Sequence, residues 1–298
     1  MRELPGLAEM RSWSAAERSR SHTIGFVPTM GYLHEGHLRL VDRARELTDR
    51  VVVSIFVNPL QFGPHEDLSR YPRDLHRDRK LAAARGVDCL FVPEASAMYP
   101  SGGEAVARIV AGPAADLLEG AARPGHFTGV LTVVAKLFHI VCPDVAVFGR
   151  KDFQQAMLVK RLVQDLDFPL TIDVAPTVRE LDGLALSSRN TYLSPDERRS
   201  ALALSRTLRT LEQTWRGGEA DAAKLQRIGM ESLRAPGGGV TPDYCALVDE
   251  SLQPVTRLTA HTVAVVAARV GATRLIDNVV LGEGIGADPR VPPAPPTS

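Results

Sequence analysis

The stretch 23-TIGFVPTMGYLHEGHLRLVDRAREL-47, followed closely by 51-VVVSIFV-57, decides the fold. Residues 23–27 are apolar and short, the pattern of a buried strand, and Pro28 should stop it. Gly31 marks a turn. Residues 35–47 then place apolar side chains at helical spacing with charges between them, an amphipathic helix. Residues 51–57 are β-branched, continuous and apolar, as a parallel strand covered on both faces should be.

Working outward, the alternation continues. Helices are expected at 75–85 and 152–166, with strands at 89–92, 145–148 and 170–174. Residues 128–141 are apolar nearly all round, so that helix should be buried in the domain or at a subunit contact. Alternating strands and helices specify an α/β domain with a parallel sheet. Beyond Thr177 the rhythm changes. SPDE at 194–197 supplies a cap, a first-turn proline and first-turn acids for a long helix over 195–215. A second helix is expected at 221–233. GGG at 237–239 breaks the pattern, and strands follow at 244–248, 262–270 and 273–280. The resulting division is a first domain over 1–177, a smaller α+β domain over 178–282, and a disordered Pro-rich tail over 283–298.

The 298 residues carry 35 bases and 35 acids, a formal net charge of +0. Such balance argues against a protein that coats nucleic acid or an anionic membrane, and leaves room for small local anion sites. Only five of the bases are lysines, Lys151 among them. The three cysteines are widely spaced with no CxxC, which fits a reducing compartment rather than a disulfide framework. The N-terminal MRELPGLAEM has no apolar signal region, and no run approaches the roughly 18 residues of a membrane span. A cytoplasmic protein is expected.

Four segments carry chemistry. In 28-PTMGYLHEGH-37 the two histidines lie three apart between a strand and a helix start, so both rings can face one ligand. Gly36 lets a ligand approach the backbone, and a helix N-terminus offers free N–H groups and partial positive charge. For this element alone three readings stand: a packed structural pair, a nucleotide phosphate site, or a metal site lacking a third ligand at regular spacing. In 56-FVNPLQFG-63, Asn58 and Gln61 leave the C-terminal end of the clearest strand, the edge where open α/β sheets bind ligands. Asn-Pro is also a plain strand-ending turn. In 148-FGRKDFQQ-155, Lys151 at a helix start can reach a phosphate as a mobile point charge, and Asp152 has the alternative of a helix cap. In 179-RELDGLALSSRN-190, Ser187, Ser188 and Arg189 set two hydroxyls beside a guanidinium, chemistry suited to terminal phosphates. The plainer reading is a polar loop that caps the next helix.

Together, PTMGYLHEGHL, FVNPLQFG, YPRDLHRD, RPGHFTGVLTVVAKLFHIVCPDVAVFGRKDFQQ and RELDGLALSSRNTYL resemble the pantoate–β-alanine ligases of the HxGH nucleotidyltransferase superfamily, in order from about Gly25 to Leu193. The resemblance implies a Rossmann-like first domain, a small C-terminal lid and a homodimer. It implies ATP-dependent joining of pantoate to β-alanine through a pantoyl adenylate, with pyrophosphate and AMP released, and Mg²⁺ as cofactor. On this reading the partners are pantoate, β-alanine and ATP, with no nucleic acid and no membrane.

The resemblance also implies roles. His34, His37 and Lys151 would be catalytic and contact ATP, and Ser187, Ser188 and Arg189 would hold the outer phosphates. Gly149 and Asp152 would meet the ribose, with Met30, Val178 and Leu186 lining the nucleotide site. Gln61 and Gln155 would hold pantoate, Asn58 would serve the β-alanine side, and Asp78 would sit at the Mg²⁺ site. Four positions depart from the common pattern: Arg150 stands for Glu, Phe153 for Tyr, Leu181 for Pro and Leu186 for Met. Arg150 reverses a charge beside Lys151. Two other readings remain: another HxGH nucleotidylyltransferase, which would join ATP to a phosphorylated acceptor, and a non-enzymatic nucleotide-binding regulatory module.

Overall fold

A computed structural model describes residues 1–64, 66, 68–102, 107–234 and 239–292. The chain divides into two units, 1–149 with 154–175, and 150–153 with 176–298.

In the first unit, β1 (Arg2–Leu4) and α1 (Leu7–Ser19) precede β2 (Ile24–Thr29), α2 (Glu35–Leu47) and β3 (Arg50–Ile55). Then come α3 (Leu75–Ala84), β4 (Cys89–Phe91), the single turns α4 (Ala95–Met98) and α5 (Glu119–Ala122), and α6 (His126–Val141). β5 (Val145–Gly149), α7 (Phe153–Asp165, all but its first residue) and β6 (Thr171–Ala175) complete it. The six strands form one sheet in the order β1-β4-β3-β2-β5-β6, with every pairing parallel. Val51, Val52 and Val53 of β3 are fully buried, as expected of a strand covered on both faces.

Two features position the site. The chain builds outward from β2 through β3 to β4, then returns to lay β5 on the other side of β2. That reversal is the switch point where open α/β sheets receive ligands, outside the C-terminal strand ends. In addition, β2 meets β5 only at Gly25–Val145 and Phe26–Ala146, whereas β5 stays paired with β6 through Gly149. The C-terminal halves of β2 and β5 therefore share no ladder. This explains how β2 runs past Pro28, which was expected to stop it. Beyond Phe26 the strand pairs with β3 alone, through Pro28–Ser54 and Thr29–Ile55, so the missing proline N–H can face the unpaired side.

The sequence reading missed β1 and α1. It placed α6 correctly as buried: its apolar residues pack all round, Val130 to Val141 among them.

The second unit holds β7 (Arg179–Glu180), α8 (Pro195–Arg216), α9 (Ala222–Leu233), the antiparallel sheet β8 (Val240–Val248), β9 (Val263–Val270) and β10 (Thr273–Val280) in the order β10-β9-β8, and β11 (Arg290–Val291). Ser194 caps α8 reciprocally with Glu197, as SPDE specified. Leu204, Leu208 and Leu211 of α8, Leu225 of α9 and Val266 of β9 share this unit's core.

Two boundaries differ from expectation. The tail was expected to be disordered from Glu283. Instead β11 pairs in parallel with β7, and Asp288 accepts a 2.6 Å hydrogen bond from Arg179. Composition alone could not show a buried arginine 109 residues upstream waiting for that carboxylate. Residues 293–298, and Gly237 and Gly238 of the triple glycine, lie outside the described residues. Arg150–Phe153, expected in the first domain, groups with the second unit.

Candidate active site

In the first unit the site begins at the end of β2. The Thr29 hydroxyl donates to the Ser54 carbonyl at 2.7 Å and accepts from Gly31 N–H at 3.1 Å, tying the turn to β3. Gly31 has φ +82°, and a Cβ there would lie 2.8 Å from Ile55 Cγ2 and 3.1 Å from Asp78 Oδ2, so only glycine fits. Asp78, 1% exposed on α3, accepts from Tyr32 N–H at 2.8 Å and Leu33 N–H at 2.7 Å, one on each oxygen. Burial pushes its carboxyl above the usual range, against these two donors, which favour the charged form.

Both oxygens hold the turn, so Asp78 fixes the loop that leads to His34. No group of three or more His, Cys, Asp or Glu among the described residues could bind a metal ion, so a Mg²⁺ ion at Asp78 would take its other ligands from phosphates and water.

His34 is the N-cap of α2. Its Nδ1 accepts from Gly36 N–H at 3.1 Å, and its own N–H donates to His37 Nδ1 at 3.3 Å. The rings stack at 4.0 Å between centroids. Because both Nδ1 atoms accept, each ring carries its N–H at Nε2. The expected shared face is therefore present, with a defined tautomer. It lies at the N-terminus of α2 beside the switch point, where the backbone dipole favours an anion.

Asn58 caps a short 3₁₀ turn after β3, Pro59–Gln61, which Gln61 ends. Asn58 is 1% exposed. Its amide donates to Gln61 Oε1 at 3.2 Å and the Gly129 carbonyl at 3.1 Å. Its Oδ1 accepts from Tyr99 O–H at 2.8 Å and Leu60 N–H at 3.3 Å. Two donors and two acceptor positions are thus all spent inside the protein. The structure makes Asn58 the support of Gln61 and gives no opening to the β-alanine contact expected of it.

Gln61 is held from behind as well. His126 Nδ1–H donates to its carbonyl at 2.8 Å, and Arg123 Nη2 donates to the same oxygen at 3.3 Å. Arg123 Nη1 also donates to His126 Nε2 at 3.0 Å, while its Nε and Nη2 pair with Glu66. Burial first, then the Arg123 charge, pushes the His126 imidazole down to about 4, so it is neutral at pH 7. With its main chain fixed, Gln61 points its amide at Met30, Nε2 to Sδ 3.2 Å. Met30, Asn58 and Gln61 are therefore brought together. Gly149 closes β5 at the other side of the switch point, and Gln155 lies half-buried in the first turns of α7.

In the second unit, Lys151 and Asp152 lie in the 3₁₀ turn Arg150–Asp152, Lys151 Nζ standing 3.8 Å from Asp152 Oδ1. Val178 and Leu186 are buried with Val291 and joined by Leu186 N–H to Val178 C=O at 2.9 Å. Leu186, a departure from the common pattern, keeps its apolar place. Ser187 caps the 3₁₀ turn Ser188–Tyr192, accepting from Arg189 N–H at 3.3 Å, whereas α8 is capped by Ser194. Ser188 and Arg189 are half-buried in that turn.

The sequence reading missed Tyr99, Arg123 and His126, which support Gln61. It also missed Arg179 with Asp277 and Asp288, a buried ion cluster in the second unit. RPGH and REL were visible as motifs, but their partners are remote in sequence.

A family model described as pantoate-beta-alanine ligase matches residues 4–280. The chain is 52% identical over 286 residues to a pantothenate synthetase of Heliobacterium modesticaldum, covering 94% of this chain and 99% of the relative. Its structure resembles the crystal structure of pantothenate synthetase from Thermus thermophilus, with TM-score 0.88 and 50% identity, covering 94% of this chain and 99% of the other. It also resembles the pantoate-beta-alanine ligase of Francisella tularensis, solved with a β,γ-ATP ligand and β-alanine, with TM-score 0.78 and 35% identity over 96% and 99% of the two chains. The chain belongs to the pantoate–β-alanine ligase family.

Proposed function

We propose that this chain joins pantoate to β-alanine in two steps at the expense of ATP. In the first, a pantoate carboxylate oxygen attacks the α-phosphorus, the bond from that phosphorus to the bridging oxygen breaks, and pyrophosphate leaves. In the second, the β-alanine amine attacks the acyl carbon of pantoyl adenylate and AMP leaves. A free carboxylate is a poor electrophile, and adenylation supplies the leaving group. The protein's task is to position the reactants and stabilise charge developing on the phosphates.

The observation that carries this reading is the His34–His37 cap, which fixes an N–H on each Nε2 at an anion-favouring helix start. These N–H groups donate to the phosphates around the α-phosphorus. Lys151 supplies a mobile positive charge to the transferring phosphates, and Ser187, Ser188 and Arg189 hold the β- and γ-phosphates. Gly149 and Asp152 meet the ribose, and Met30, Val178 and Leu186 line the nucleotide site. Gln61 and Gln155 bind pantoate by uncharged amides, Gln61 in the orientation set by Asn58, Tyr99, Arg123 and His126. Mg²⁺ enters with ATP as part of the substrate. The protein works as a cytoplasmic homodimer; among the described residues no helix is long and apolar enough to cross a membrane.

Pantoate-dependent exchange of labelled pyrophosphate into ATP, with AMP release added by β-alanine, tests the reading. A folded protein that showed no exchange with Mg²⁺ present would refute it. A dinucleotide-like product with a phosphorylated acceptor would favour a nucleotidylyltransferase instead.

A further inference from the structure

Lys151 is held by a residue 127 positions away in the chain. Asn278, on β10 and 2% exposed, donates one amide hydrogen to the Arg150 carbonyl at 2.9 Å and the other to the Lys151 carbonyl at 3.0 Å. Two acceptors on one side fix which way the amide faces. The backbone of Asn278 is pinned in turn. Its N–H donates to Asp277 Oδ1 at 2.8 Å, and its carbonyl accepts from Arg179 Nη2 at 3.2 Å.

Arg179 has no exposed surface and anchors the whole assembly. It grips Asp277 with Nη1 and Nη2 at 2.6 and 2.9 Å, and donates from Nε to Asp288 Oδ2 at 2.6 Å. The other oxygen of Asp288 accepts from Arg150 Nη2 at 3.2 Å, and Arg150 Nη1 pairs with Glu283. The turn that carries Lys151 is thus tied twice to one buried arginine, through the Asn278 amide and through the Arg150 guanidinium. All of these residues belong to the second unit.

We infer that Asn278 and Arg150 are positioning residues for Lys151, and that the Arg179–Asp277–Asp288 cluster is the frame on which they are mounted. The inference rests on the catalytic role proposed for Lys151. A lysine ammonium ends a flexible four-carbon stem, so its reach to a phosphate depends on where its main chain is held. Arg150 makes its contacts with Glu283 and Asp288, which gives the charge reversed beside Lys151 a structural use. A displacement of about one ångström in such a group costs on the order of a hundredfold in rate. The loss should appear in turnover rather than in ground-state ATP binding, because Lys151 acts on charge that develops in the transition state.

The test is a double-mutant cycle on the full chain, read by pantoate-dependent ATP–pyrophosphate exchange. Asn278→Ala should lower the maximal exchange rate at least about tenfold while the ATP KM moves less than about threefold. Added to Lys151→Ala, it should cost less than about a further twofold. Arg150→Gln, which leaves the buried amide in place, should give the same kinetic pattern at smaller size and covers the case that Asn278→Ala fails to fold. A full rate in both Asn278→Ala and Arg150→Gln would overturn the inference alone, if Lys151→Ala is impaired. So would an undiminished loss from Asn278→Ala in the Lys151→Ala background. A full rate in Lys151→Ala would overturn the catalytic assignment, and this inference with it.

Discussion

Gly129 carries no chemistry, yet it decides where Gln61 lies. It sits in α6 against the Pro59–Gln61 turn, and its carbonyl accepts from Asn58. A Cβ added there would overlap the Leu60 carbonyl oxygen and lie 2.7 Å from Gln61 N. Ordinary contact begins near 3.5 Å, so the turn, whose Leu60 carbonyl oxygen would be 2.2 Å away, would have to retreat by about 1.3 Å. Two effects oppose each other in Gly129→Ala. Alanine gains about 1 kcal/mol of helix propensity over glycine. Overpacking costs about 1–3 kcal/mol, and here its upper end applies, because the clash is with backbone that cannot rotate aside. The net expectation is a loss of about 1–2 kcal/mol in urea unfolding. The larger consequence is functional. Moving Gln61 by about an ångström should cost roughly tenfold to a hundredfold in pantoate-dependent exchange, with a raised pantoate KM and an unaltered ATP KM. A Gly129→Ala protein at least as stable as wild type, with its pantoate KM intact, would refute the claim that this contact places Gln61.

Other outcomes follow from the same geometry. Asp78→Asn turns one acceptor into a donor facing a backbone N–H and should cost about 1–3 kcal/mol of stability; a shifted Mg²⁺ requirement with unaltered stability would show that it serves the metal and not the loop. His126 is held near 4 in the fold against 6.5 for the free group. Between those values only the unfolded chain takes up the proton, so stability should fall as pH drops from about 6.5 to about 4, by about 3 kcal/mol. His126→Asn should remove that part of the slope in urea titrations across the range, and coincident slopes would contradict the assignment. Lys151→Ala should reduce single-turnover adenylate formation at least about a hundredfold, and a near-normal rate would show its role is misassigned.

Much of this was legible in the sequence because it is local. Strand 51–57 announces itself by an unbroken apolar run, and the His34–His37 spacing makes a shared face without knowledge of anything distant. SPDE specifies its own cap. What escaped was set by partners far along the chain. Pro28 reads as a stop until the β2–β5 ladder is seen to end at Phe26. Asn58 reads as a ligand group because nothing local shows that Tyr99 and Gly129 already occupy it, and nothing local shows that the amides of Tyr32 and Leu33 make Asp78 the anchor of a loop. Asp288 sits in a stretch whose composition resembles a tail, and only the buried guanidinium of Arg179 makes it core.

The account turns on attack by the pantoate carboxylate at the α-phosphorus. Pantoate labelled with heavy oxygen in its carboxylate, turned over with ATP and β-alanine, tests this most directly. If pantoyl adenylate forms and is cleaved at the acyl carbon, the AMP produced carries one labelled oxygen. AMP without the label, from a protein that makes pantothenate, would contradict it.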